Sequence, residues 1–484
     1  MRTRSWRNIP RSLSLLVVAL LLAVVIPGGA ASAQVPQNVD VSLRPGNEAE
    51  HAIAINPTNP SNIVAVSTLS EPDAVGLFEG VSFDGGQTWT RQIIGDNDNL
   101  GDICCDNQLA WDSFGNLWLV YLSLSSGNVP IALSTDGGLT WEKVAEIVPI
   151  KPKGVQPPAS TGSKGNQLSR KGVASADQPS VSAAAGSVWV SYTVYPSTVV
   201  QAFGAPVTGL GQFGDFTTPQ NVHTAHGKGN YGDTAVGPDG QMMVIYQDQT
   251  IGQGGARIYT ALDPDGLGPK EFEVPRFFGR TRVGGFDYLP IQPDRSFDAE
   301  ANLAWDRSGG PHDGRVYAIW TQEVKNESDD FDIMFQYSDD DGDTWSAPVR
   351  LNDDATTNSQ GNPAIAVDQT TGNVAVSWYD ARNDLGDGGP GDTDGIPNDD
   401  VQIWATYSTD GGVTFVPNLR VSEGTSNSSA EVTGSGFNLG DYTKLAFDSG
   451  TFYPAWSDNS NSTGDNPDGT LTKLDLYTAA VTIS

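Results

Sequence analysis

The sequence predicts an all-β fold, a single β-propeller of seven four-stranded blades, and three observations predict it. A strand–turn–strand unit recurs seven times along the chain. One eight-residue turn sequence returns four times at matching places in that unit. The 484 residues include 55 Gly and 30 Pro, as a fold with many tight turns needs.

The recurring unit is an inner strand ending mostly in Asp or Asn, a short turn, and an apolar strand. Its copies lie at 52–67, 108–121, 180–192, 234–246, 302–320, 364–378 and 444–456. Two further strands follow each of the first six copies. Only one, within Leu474–Ile483, follows the seventh. The missing strand is supplied by Asn38–Leu43, which would close the ring and remove an exposed edge. A six-bladed ring with one unit miscounted is the alternative.

The repeated turn is Ser82-Phe83-Asp84-Gly85-Gly86-Gln87-Thr88-Trp89. It returns at Ser134–Trp141, Ser338–Trp345 and Ser408–Phe415. Its glycines permit positive φ, its Ser and Asp oxygens can bond the turn's own amides, and the aromatic can fold back beneath it. This signature resembles the Asp-box, or BNR repeat, of sialidases and related β-propellers. Lying between third and fourth strands, all four turns fall on one face and read as structural.

The opposite face gathers the chemistry. Six residues back from the end of each inner strand stand Glu50, Asp106, Asp177, Tyr231, Glu300, Asn362 and Tyr442, expected to ring the central channel. They either form a pocket of acid/base groups and oxygen ligands or cap turns beside the channel. Eleven of the 23 basic residues beyond the first 33 positions fall in loops of this face or at a strand end facing it, among them Arg280, Arg282, Arg295 and Arg382. That asymmetry suggests an anionic ligand, because the planar guanidinium pairs with carboxylates; simple solvation of long loops is the alternative. Cys104 and Cys105 either pair with each other or stay free thiols. Asp392, Asp394 and Asp399 lie in an acidic loop like oxygen-rich calcium sites, which makes Ca2+ the candidate cofactor; without an ion the loop would repel itself.

Through the sialidase resemblance, Gly440–Leu445 is similar to the segment carrying that family's late catalytic Tyr. The implied roles are Tyr442 as nucleophile or base, Asp441 or Glu300 as its partner, and Arg382, Arg280 and Arg282 on the acidic sugar, with Tyr231, Asp106 and Asp177 around the substrate. Only Leu43-Arg44-Pro45 stands near the start in place of the family's Phe-Arg-Ile-Pro segment, and Ala366 and Asp368 stand where its Glu is expected.

Composition sets the remaining bounds. A formal charge of −31 excludes a general phosphate-backbone binder, so no nucleic-acid partner is expected. Two cysteines exclude a disulfide-rich scaffold and a thiolate zinc site, and 12 Trp, 14 Tyr and 17 Phe are too many for a disordered polyanion. Residues 1–33 read as a secretory signal: four arginines, the apolar run Leu13–Ile26, and the small-residue site Ala31-Ser32-Ala33. The propeller then occupies 34–484, secreted or periplasmic, with no membrane span once the signal is removed. The expected function is a monomeric, sialidase-like glycoside hydrolase acting on acidic sugars of a carbohydrate or glycoconjugate. A non-catalytic glycan- or protein-binding propeller, a uronate polysaccharide lyase, and a calcium-stiffened scaffold are the alternatives.

Overall fold

A computed structural model describes Met1 and residues 35–70, 74–150, 175–222, 229–248, 253–285, 287–429 and 437–483, with Tyr231 by its backbone alone. Residues 2–34, with most of the expected leader, and Lys151, Lys153, Lys164, Arg170, Lys171 and Lys228, which the sequence places with His223 and His226 in loops of the opposite face, lie outside the described residues. One compact unit spans Val35–Ser484.

Seven antiparallel sheets of four or five strands are built in chain order, each passing from an inner to an outer strand. Their inner strands are Glu48–Ile55, Ile103–Trp111, Ser175–Ala184, Asn230–Val236, Asn302–Trp305, Gln360–Val367 and Leu445–Asp448. The expected seven-bladed all-β ring is what forms. Its closure is also as expected: Asn38–Asp40 pairs with Tyr477–Ala479 as the outer strand of blade seven. Asn38 laces that strand to blade six, its Nδ2 donating to the Val421 carbonyl at 2.9 Å and its Oδ1 accepting the Glu423 amide at 2.6 Å.

The second strand of each blade is apolar on both faces because neighbouring blades cover both. Ile63–Leu69 and Leu117–Tyr121 are buried throughout. The core is therefore divided into seven clusters, one at each junction between blades. Blades seven and one share Ala455 and Leu476 with Ile53, Ile63 and Phe78, and blades five and six share Tyr317 and Phe335 with Val376 and Trp378.

The four repeated turns adopt one hydrogen-bond set. Ser82 Oγ donates to Asp84 Oδ1 at 2.8 Å and accepts from Gly86 N at 2.9 Å, while Thr88 Oγ1 donates to Asp84 Oδ2 at 2.6 Å. The Thr-to-Asp bond recurs at 2.6 Å from Thr140, Thr344 and Thr414. The second glycine is required twice over at Gly412, where φ is +79° and a Cβ would lie 2.5 Å from Phe335.

At the head of the inner strands a bulge recurs. Two residues of the inner strand face one of its neighbour between Ala49 and Ala52, Cys105 and Gln108, Asp177 and Ser180, Asn230 and Asp233, and Gly361 and Ala364. Its first residue is left-handed at Glu50, Asp106, Gln178 and Asn362, with Glu300 in the same conformation ahead of blade five. Glu50, Asp106, Tyr231 and Asn362 thus open bulges, whereas Glu300 and Tyr442 precede the regular inner strands of blades five and seven. Blade three is the correction: Gln178 takes the equivalent place and Asp177 precedes it by one.

Replacing Asn38 with Ala removes both ties to blade six and leaves the buried Val421 carbonyl and the part-buried Glu423 amide without these partners. The expected loss is about 1–3 kcal/mol in urea-induced unfolding.

Candidate active site

The mouth of the channel is assembled from both ends of the chain. Glu50 and Asp106 enter on the bulges of blades one and two, and Asp441 and Tyr442 on the segment leading into blade seven. A hairpin of Asp287–Leu289 and Gln292–Phe297, in the connection from blade four to blade five, brings Arg295 over them. Arg295 chelates both oxygens of Asp441 and donates to Glu50 Oε1 at 3.0 Å. Its guanidinium also lies 4.9 Å from the centre of the Phe437 ring. Asp177, Gln178, Tyr195, Arg295 and Asp441 keep partial exposure; Glu50, Asp106, Asp298, Glu300 and Tyr442 are buried.

Electrostatics divide these groups. Burial pushes the Glu50 carboxyl well above the ordinary range, with Asp106 and Asp441 reinforcing it against the pull of Arg295. Burial and the charge of Asp177 do the same to Asp106, although its Oδ2 accepts the Gln178 amide at 2.9 Å. Asp298 is pushed up to about 7, again chiefly by burial. Several carboxyl groups beside one arginine cannot all ionise cheaply, so the buried ones keep protons near neutrality.

Tyr442 is buried, and its phenol donates to the Asn107 carbonyl at 3.2 Å across the ring. Burial, then Glu50 and Asp106, hold its pKa well above the ordinary phenol value. The hydroxyl is therefore a protonated donor in the resting protein. Below it the channel is filled. Lys444 reaches Asn302 Oδ1 at 3.0 Å and Asp233 Oδ1 at 3.4 Å, and the space beside Tyr442 and Lys444 amounts to about 10 Å3. Among the described residues, the space left beneath these groups is too small for a sugar, so a ligand would meet them from the mouth.

The arginines named from the sequence go elsewhere. Arg382 is buried in blade six, donating to Asp380 at 2.7 and 2.9 Å, Asp353 at 2.7 Å and Asn418 at 2.8 Å, and stacked 4.1 Å from the Trp404 ring. Its fork is committed to the blade, which leaves no paired donors for a substrate carboxylate. Arg280 stands on the outer strand Arg276–Thr281, where a loop is expected from the sequence. With Arg257, Arg282 and Gln322 it lines a separate cleft of 540 Å3. Glu300 lies just ahead of the inner strand of blade five beside Asp298, to whose Oδ1 its amide donates at 3.0 Å. Tyr231's side chain lies outside the described residues. Cys104 and Cys105 are joined to each other ahead of Asp106.

In the acidic loop, Asp399 is buried, Asp394 is exposed, and Asp392 accepts the amides of Gly388, Asp394 and Gly395. Arg295 and Asp298 are the groups sequence reasoning underrated. A hairpin inserted between two blades has no counterpart in the repeat, so spacing does not flag it; the signal available is its length.

Two measurements probe this arrangement. Arg295→Met leaves Glu50 and Asp441 facing each other and should cost about 1–3 kcal/mol, less than a fully buried pair because Arg295 keeps a quarter of its side chain exposed. The raised carboxyl groups bind protons in the folded state that the unfolded chain releases near its ordinary pKa of 3.8. Their stabilisation is full below that pH and is lost as pH rises through about 7 for Asp298 and about 8 for Glu50 and Asp106. His51, lowered to about 3 by burial, acts oppositely between about 3 and 6.5 but is a single group. The melting temperature in chelator should therefore be higher at pH 5 than at pH 8, and Asp298→Asn should flatten the slope.

No protein-family model and no curated protein matches the chain. Among solved structures it is similar to the GH93 alpha-L-arabinofuranosidase of Fusarium graminearum, at 11% identity over 92% of this chain and 97% of that one, with a TM-score of 0.45. It is likewise similar to a polysaccharide lyase, at 8% identity over 92% and 91% with a TM-score of 0.49. A Hadza microbial sialidase matches at 13% identity over 87% and 73%, with a TM-score of 0.40. The seven-bladed fold stands on the sheet order itself, and the chemistry of the mouth on its own geometry.

Proposed function

We propose that the protein is a glycan-directed propeller whose channel mouth performs acid–base chemistry, with glycoside hydrolysis the best-supported reaction. One observation carries this reading: buried, proton-holding carboxyl groups lie beside partly exposed carboxylates over a closed channel floor. Glycosidic cleavage needs that division, with a protonated acid for the departing oxygen and a second carboxylate for the sugar carbon or a water. Asp106 is the acid in this scheme and Asp177 its partner. Arg295 and Asp441 form the charged wall, and Tyr442 serves as a positioning donor beneath. Residues 1–33 act as an export leader, and the working form is a monomer.

Among the described residues of this mouth, carboxylates outnumber the one arginine, Arg295, which favours a neutral sugar at the point of cleavage. A second reading, recognition of an acidic sugar, is favoured by the Arg257, Arg280 and Arg282 cleft, where binding rather than catalysis would take place.

The test is a panel of neutral and acidic glycans incubated with the purified protein and read by mass spectrometry for released sugars. Turnover should fall about 10²–10⁴-fold in Asp106→Asn, while Tyr442→Phe should mainly lower stability. Binding without release anywhere on the panel would leave a lectin-like propeller. Undiminished turnover by Asp106→Asn would remove the acid from this site.

A further inference from the structure

We propose that the acidic loop of blade six binds a calcium ion through Asp394, Asp399 and Asp400, and that the ion fixes the hairpin carrying Arg295. One carboxylate oxygen from each of these three residues lies within 4.8 Å of the other two. The second observation is Asp399 itself. It is 5% exposed, and its Oδ1 has no hydrogen-bond partner although the atom is fully enclosed. A buried carboxylate oxygen with no donor is costly. Here it stands in a group of three carboxylates with no basic side chain among them, and a divalent cation satisfies all three. The donors are hard oxygens without His or Cys, a set that suits calcium and not zinc.

The loop is already shaped around this point. Asp384 Oδ2 accepts the amides of Asp399 at 2.8 Å and Asp400 at 2.9 Å, while Thr393 Oγ1 donates to Asp400 at 2.7 Å. Asp392, named as a ligand from the sequence, groups instead with Asp384 and Asp400.

From the ion a chain of bonds leads to the mouth. Asn427 donates to Asp394 at 3.3 Å and Ser429 to Asp399 at 3.4 Å. Between them, Ser428 Oγ donates to the Ile291 carbonyl at 2.6 Å, at the tip of the hairpin, and its own carbonyl accepts from Asn438 at 2.9 Å. Asn438 Oδ1 accepts the Asp294 amide at 3.0 Å, next to Arg295. Drawing the carboxylates onto an ion holds segment 426–429, and with it both ends of this linkage. The proposal is independent of the glycan reading, since its measurements involve no sugar.

Titration of chelator-stripped full-length protein with CaCl2, followed calorimetrically, should show one ion per chain bound at least about tenfold more tightly than Mg2+. Asp399→Asn and the exposed Asp394→Asn should each weaken that binding about tenfold or more. In chelator, Asp399→Asn should melt no lower than the parent protein, because it removes a repelled buried charge; with calcium it should lose the rise in melting temperature. Hydrogen exchange of the amides in 287–297 should slow on calcium addition. No heat of binding, equal affinity for Mg2+, or undiminished binding by both variants overturns the site. A melting temperature for Asp399→Asn below the parent's in chelator would make that residue a structural one and overturn its role as a ligand. Binding with unchanged exchange in the hairpin overturns the link to Arg295.

Discussion

The mouth of this propeller exists because three residues close the ring. Asn38–Asp40 completes blade seven from the other end of the chain, and Val41 continues the pairing through its amide to the Leu476 carbonyl at 2.8 Å. Closure sets blade one beside blade seven and so brings Glu50 within reach of Asp441. Arg295, from a hairpin between blades four and five, bridges the two. Glu50 and Asp441, near opposite ends of the chain, are neighbours only because the ring closes.

Closure also crowds the axis, and the bulges relieve it. An inner strand that stayed regular would alternate its side chains about the blade plane; one extra residue re-aims a polar group at the channel mouth. Left-handed backbone at Glu50, Asp106, Gln178, Glu300 and Asn362 keeps these positions from taking β-branched residues, which tolerate that conformation poorly. The channel beneath is occupied by Lys444 and its partners, so the polar ring faces the mouth and does not line a pore.

Aspartate serves opposite ends on the two faces. In the far-face turns the carboxylates accept several local donors at the surface: Thr88 bonds hold Asp84 down at about 2. At the mouth burial dominates and lifts the same chemical group toward neutrality. Arginine divides in the same way. Arg382 and Arg315 are paired with aspartates and stacked on Trp404 and Tyr337 within their blades, whereas Arg295 stands over the acids at the axis.

The sequence by itself determined the blade number, the closing strand and the four turns. Each of these follows from local periodicity and glycine-dependent turn chemistry repeated along the chain. It also marked the bulge positions, because the distance from a bulge to its strand end is nearly constant; at blade three the count slipped from Gln178 to Asp177. Which polar groups share a site was decided by tertiary structure. Arg382 carries the charge expected of a ligand-binding arginine, yet Asp380, Asp353 and Trp404, brought to it by blade packing, absorb its fork. Arg295 and Asp298 lie on an insertion outside the repeat and reach the axis through contacts far apart in sequence. Protonation follows the same rule: hydrogen bonds within its own turn make Asp84 the stronger acid, and burial at the axis of the closed ring makes Asp298 the weaker one.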